Sequence, residues 1–209
     1  IGANVGLSTL SFAKILASEG LVYSFEPNSQ IKSKLLKNIE LNNLKNIVVE
    51  EYALQNDPKI LTQEFYIREA LQEDGRINNG ISSLKKNQYH NKHKQIVKTT
   101  TLDNYVNEHR IHSINLIKID VEGGDSDVFY GGEKSIDEYK PIIIYEYSTM
   151  LDFQANLKNT QSCFEFLKSK NYVQFRIGNN NLTKFEHYDP LITDSDFICF
   201  YKNKIPDFI

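Results

Sequence analysis

Long apolar runs are missing from this sequence: none approaches the roughly 20 residues that span a bilayer, so no membrane span is expected. Nothing at its start has the basic and apolar pattern of a signal peptide, and a cytoplasmic location is expected. Cysteine is scarce. Cys163 and Cys199 stand far apart without C-x-x-C spacing, which argues against a thiol metal cluster or redox pair and predicts two buried, reduced thiols. A surplus of positive charge is lacking as well. The net charge of −3 gives the chain no broad electrostatic reason to bind nucleic acid or an anionic membrane. The 209 residues suit a single domain, 1–209, with a full hydrophobic core.

Short apolar runs alternate with segments of helical spacing, the pattern of an α/β, Rossmann-like fold with a mostly parallel sheet and helices on both faces. LVYSF (21–25), NIVVEEYAL (46–54), NLIKIDV (115–121), IIIYEY (142–147), YVQFRI (172–177) and DFICFYK (196–202) are predicted strands. SQIKSKLLKNIELNN (29–43) is a predicted helix with Ile31, Leu35, Leu36 and Ile39 inward, and another helix is predicted over 157–170. The last two strands are separated by a loop, and the final one is expected to be antiparallel. Residues 59–100 break the rhythm and read as an inserted hairpin or lid-like excursion.

The opening IGANVGLSTLSFAKI places Gly2, Asn4 and Gly6 two apart, directly before apolar Leu7, Leu10, Phe12 and Ile15. That is a strand-to-helix turn around a ligand. Glu26 follows LVYSF about 20 residues on, where an acid at a strand end accepts hydrogen bonds from ribose hydroxyls. Dinucleotide and S-adenosylmethionine sites share this pair. A dinucleotide fingerprint needs a second glycine for close approach to a pyrophosphate. Asn4 stands there instead, which favours S-adenosylmethionine.

IGANVG (1–6), FEPN (25–28), TTLDNYV (100–106), LIKIDVEGGDSDVFYGG (116–132) and PIIIYE (141–146) together resemble the FkbM-type methyltransferases, a branch of the class I S-adenosylmethionine-dependent enzymes. The resemblance implies a seven-stranded Rossmann-like sheet and methyl transfer to an oxygen. It also implies acceptors that are usually sugar, glycan or polyketide hydroxyls. Family members carry a first strand ahead of the position of Ile1, so that strand is expected to be missing from the sheet.

In open α/β sheets ligands lie beyond the carboxyl ends of the strands. The candidate cofactor contacts are therefore Gly2, Asn4, Gly6, Glu26, Pro27, Asn28, Ala53, Leu54 and Asp120, with Ala53 and Leu54 either beside the adenine or in the core. A sulfonium is a good leaving group, so the enzyme's task is to align the acceptor oxygen and take its proton. Asp120, Glu122 and Glu146 are the candidate bases, with Lys118 a candidate partner for Asp120. Asp125 reads as a helix N-cap and Asp127 as a first-turn acid, neither catalytic.

KKNQYHNKHK (85–94) reads as a solvated loop or as an acceptor lid suited to an anionic glycan. Ser82, Ser83, His90 and His93 are then candidate acceptor contacts, a histidine serving as reserve base. No metal ligand set is assigned. D-S-D at 125–127 and again at 194–196 supports a second reading, a metal-dependent sugar-nucleotide transferase. A third reading is a cofactor-binding protein without catalysis.

Overall fold

A computed structural model describes the whole chain except residues 68–69, 72–76, 79–81, 87–92, 156 and 208. Helix α1 (Leu7–Leu16) leads into β1 (Val22–Phe25), α2 (Ser29–Leu41), β2 (Ile47–Glu50) and β3 (Ala53–Leu54). Next come β4 (Thr62–Ile67), the short β5 (Ala70–Leu71) and β6 (Ile77–Asn78), and β7 (His93–Thr100). Then follow α3 (Leu102–Glu108), β8 (Leu116–Ile119), α4 (Asp125–Gly131), α5 (Glu133–Tyr139) and β9 (Ile142–Tyr147). Helices α6 (Thr149–Ala155) and α7 (Asn159–Ser169) precede β10 (Tyr172–Ile177), β11 (Leu182–Phe185) and β12 (Ser195–Tyr201). No helix among the described residues is long and apolar enough to cross a membrane.

The fold is mixed α/β and Rossmann-like. Parallel pairing joins β1 to β2, β3 to β7 and β8 to β9. The main sheet runs β11-β10-β12-β9-β8. The antiparallel C-terminal strand β12 is inserted between β9 and β10 rather than added at the edge. The first residues stitch β8 to β1: Asp120 N donates to Ile1 O at 3.2 Å, while Gly2 N and Ala3 N donate to Phe25 O at 3.1 and 2.9 Å.

Aromatic residues fill the core, with Phe129, Tyr145, Tyr147 and Phe197 all fully buried and Tyr147 stacked on Phe197 at 4.7 Å. Burying each such side chain is worth roughly 1.5–3 kcal/mol. Cys163 and Cys199 are buried free thiols, as expected.

The differences from the sequence reading have local causes. The run 46–54 is two strands, because the chain changes partner between them: β2 pairs with β1 and β3 with β7. In α2 only Ile31 and Leu35 are buried, and Leu36, about 100° further round the helix, is exposed. The inner face of α1 is Thr9 and Ala13, not the apolar series, and Leu7 and Ile15 are exposed. Thr9 and Ser24 hydroxyls meet at 2.9 Å, a polar contact between helix and strand that hydrophobic spacing does not signal. Strand β11 lies in what reads as loop, since it is mostly exposed and lacks alternation.

Helix α6 is also new, and Asp152 at its heart caps α7 by accepting from Asn159 N at 3.0 Å and Thr160 N at 2.8 Å. Asp125 is not an N-cap. Gly124 holds that position without a side-chain cap, and Asp125 is the first helical residue, 1% exposed.

Candidate active site

The segment 1–6, β1, β3, β8 and the residues around 82–86 converge on one cleft at the carboxyl ends of the strands. It encloses about 820 Å³ of empty space, the open solvent at its mouth included.

The opening loop is shaped by close approach. Gly2 has φ +78°, and a Cβ there would lie 1.8 Å from Asp120 O, so only glycine lets the loop cross the end of β8. Asn4 also takes a left-handed conformation, φ 49°, and its Oδ1 accepts from Val5 N at 2.8 Å. Its carbonyl oxygen atom is thus turned to its own chain. Gly6, φ +101°, is the N-cap of α1 and lies outside the cleft lining, against Leu35.

Glu26 stands at the centre of this wall, 7% exposed. Its Oε2 accepts from Asn4 N at 2.8 Å and its Oε1 from Asn28 N at 3.0 Å. Burial pushes its carboxyl above the ordinary range, and the bonds from Asn28 and Asn4 oppose that shift. Asn28 in turn caps α2, its Oδ1 accepting from Gln30 N at 3.0 Å and Ile31 N at 3.3 Å. Pro27 completes the turn, and Ile31, Ala53, Leu54, Phe65 and Leu84 form the apolar walls.

The opposite wall carries Asp120 and Glu122. Lys118 Nζ donates to Asp120 Oδ2 at 2.7 Å, so the partner sought for this carboxylate is found on its own strand. Glu122 sits at φ 55°, ahead of Gly123 at φ 90°, a turn that brings both residues beyond the end of β8. Glu146 does not line the cleft. It is the penultimate residue of β9, the strand next to β8.

Among the predicted acceptor contacts, Ser82 lines the cleft. Ser83 does not: it is buried, its hydroxyl donating to Val121 O at 3.2 Å and accepting from Lys85 N at 3.0 Å. His93 is exposed on β7, opposite Ile67, and outside the lining. His90 lies outside the described residues.

The sequence reading missed a clamp. Asp127 lines the cleft, forms an ion pair with Lys85 and accepts from Asn56 Nδ2 at 3.0 Å. The segment around Ser83 is also tied to β4 by paired backbone bonds with Tyr66, at 2.8 and 3.1 Å. Lys94 at the far end of the basic run pairs with Glu64. These two lysines thus serve different contacts, which charge composition does not separate.

Comparison with known structures places the fold. Methyltransferase FkbM from Methylobacillus flagellatus KT superposes with a TM-score of 0.57 at 13% identity, over 95% of this chain and 42% of that one. Precorrin-6y C5,15-methyltransferase from Geobacter metallireducens GS-15 aligns over 97% of this chain and 76% of that one, with a TM-score of 0.48 at 14% identity. The chain therefore spans less than half the length of the Methylobacillus protein. Curated proteins yield no match. The methyltransferase FkbM domain family matches residues 1–194, nearly the whole chain, and the chain belongs to that family.

Proposed function

We propose that the chain binds S-adenosylmethionine in this cleft and transfers its methyl group to a hydroxyl of a sugar, glycan or natural product. One observation carries the reading. The described lining residues present four carboxylates, Glu26, Asp120, Glu122 and Asp127, and no lysine, arginine or histidine; Asp120 and Asp127 are paired with Lys118 and Lys85 from outside the lining, which leaves Glu26 and Glu122 to set its sign. A dinucleotide or sugar nucleotide would bring a diphosphate against like charge. A ligand with an ammonium, a sulfonium and no phosphate is attracted.

The residues fit such a ligand elsewhere too. A carboxylate offers about four lone-pair sites, and backbone N–H groups use two of those on Glu26, so ribose hydroxyls find acceptors there. Ala53, Leu54 and Ile31 give a flat apolar surface for a ring. When bound, the cofactor supplies an electrophilic methyl carbon on a good leaving group. Asp120, oriented by Lys118 on the cleft wall, takes the proton of the acceptor hydroxyl as the new bond forms. The segment 82–86, strapped to α4 by Lys85, helps to keep water from the cleft.

The sugar-nucleotide reading finds little support. Asp125 is buried and accepts from Val121 N and Asn159 Nδ2, and Asp127 is engaged by Lys85 and Asn56. Calorimetry tests the choice. S-adenosylmethionine is expected to bind, without competition from UDP-glucose and manganese. Absence of binding, or displacement by UDP-glucose, would overturn the proposal.

A further inference from the structure

Behind the acidic turn after β8 lies a buried chain of polar side chains. Asp125, 1% exposed, accepts from Val121 N at 3.4 Å through Oδ1 and from Asn159 Nδ2 at 3.2 Å through Oδ2. The other end of that amide, Asn159 Oδ1, accepts from Ser126 N at 2.8 Å. Each contact needs its own polarity. An ionised carboxylate only accepts, whereas an amide donates at one end and accepts at the other, so neither residue can be changed into its partner's type alone without losing a bond. Asn159 is itself seated by Asp152, which takes its N–H at 3.0 Å and that of Thr160 at 2.8 Å. The Thr160 hydroxyl donates to Ser148 O at 2.9 Å, just beyond β9.

The turn in front of this chain is strained. Glu122 is a non-glycine residue at φ 55°, followed by Gly123 at φ 90°. A side-chain-bearing residue persists in that region only where its surroundings hold it. Val121, at the entry to the turn, is held on both sides: Asp125 takes its N–H, and the Ser83 hydroxyl donates to its carbonyl at 3.2 Å. Val121, Glu122 and Gly124 line the cleft, whereas Asp125, Asn159 and Asp152 do not. Burial first, with Asp120 adding, raises the Asp125 carboxyl to about 6, so above neutrality it is ionised and both of its oxygens accept.

Resting on the reading of the cleft as an S-adenosylmethionine site, we propose that Asp125 and Asn159 are positioning residues, which together fix the turn 121–124 so that Glu122 stays on the cleft wall where the cationic end of the ligand binds. Neither touches the ligand. They act through the backbone of the turn, and the donor and acceptor polarity of the pair is what holds it.

The test exchanges the pair, in the full chain above neutrality. Asp125→Asn sets amide donor against amide donor, and Asn159→Asp sets carboxylate against carboxylate. The double variant restores every bond in reverse: an amide oxygen for Val121 N, an amide donor towards position 159, and a carboxylate oxygen there for Ser126 N. Each single variant is expected to speed amide hydrogen exchange at 121–124 and to weaken S-adenosylmethionine binding, both by about tenfold or more, the scale of one lost hydrogen bond to a charged group. The double variant should return both close to wild type. Single variants that melt lower yet keep wild-type exchange at the turn, or wild-type affinity, would show a role in stability alone and overturn the proposal, as would a double variant no better than the singles. Should a single variant lose the native circular dichroism, Asn159→Ala takes its place with the same expectation, because it removes the amide without bringing like groups together. If that variant also unfolds, the double variant decides: wild-type exchange and affinity support the proposal, and loss of either overturns it. Exchange is measured without ligand, so a wild-type chain that binds no S-adenosylmethionine overturns the cofactor reading and leaves the exchange data to decide the role of the pair.

Discussion

The Glu26 carboxylate accepts the backbone N–H of Asn4 at 2.8 Å, from 22 residues further along the chain. Its other oxygen holds Asn28 N at 3.0 Å. The residue expected to meet the ribose therefore also fixes the loop that faces it. Glu26→Ala should weaken S-adenosylmethionine binding by roughly 1.5–3 kcal/mol, the scale of hydrogen bonds to charged groups. It should also lower the melting temperature, since it leaves two N–H groups without their acceptor. Calorimetry that finds equal affinity in both proteins would remove Glu26 from the cofactor site.

Asp120 should matter more for transfer than for binding. Asp120→Asn keeps the shape and removes the basicity, and a general base typically contributes about 10²- to 10⁴-fold, so kcat should fall by that order. Cofactor affinity should change little. Near-normal kcat with much weaker cofactor binding would place Asp120 on the cofactor instead.

Lys85 and Lys94 should behave differently although they belong to one basic run. Lys85 is partly buried and tied to Asp127 on the cleft wall, whereas Lys94 and Glu64 are exposed. Lys85→Ala should speed release of bound S-adenosylmethionine several-fold with little change in melting, because a partly exposed pair contributes about 0–1 kcal/mol. Lys94→Ala should leave release unchanged. Stopped-flow dissociation rates decide, and identical rates in all three proteins would show that the Lys85–Asp127 strap does not retain the ligand.

Asp125 should give stability an unusual pH dependence. It is fully buried, and burial first, with Asp120 adding, raises its carboxyl from 3.8 to about 6. The folded state thus holds the proton more tightly than the unfolded chain. Stability from this group grows as pH falls from about 6 towards 3.8 and is lost as pH rises through that window. Replacement by asparagine should therefore cost more stability at the acid end than above neutrality. Denaturant titrations at both ends measure it, and a cost independent of pH would show that Asp125 does not titrate there.

The element order was legible because periodicity records which face of a segment is buried. IIIYEY and YVQFRI became β9 and β10 at the expected residues, and the helix after FEPN began at Ser29 behind its Asn28 cap. Where side chains carry no such pattern, the reading failed. Exposed β11 has no buried face to alternate with. Helix α1 is oriented by the Thr9–Ser24 contact, a pair 15 residues apart that no local spacing reveals.

The sequence by itself determined the local chemistry: a glycine-bearing turn entering a helix, an acid after the first strand, and an acidic turn after IKID. Those follow from residue type and short spacing, which act within a few residues. Tertiary structure alone decided which of these groups meet. It set Gly2 against Asp120 O, carried Lys85 to Asp127, and paired Glu146 with Asp196. Contacts between distant segments depend on strand order and register, which residue type and short spacing do not carry.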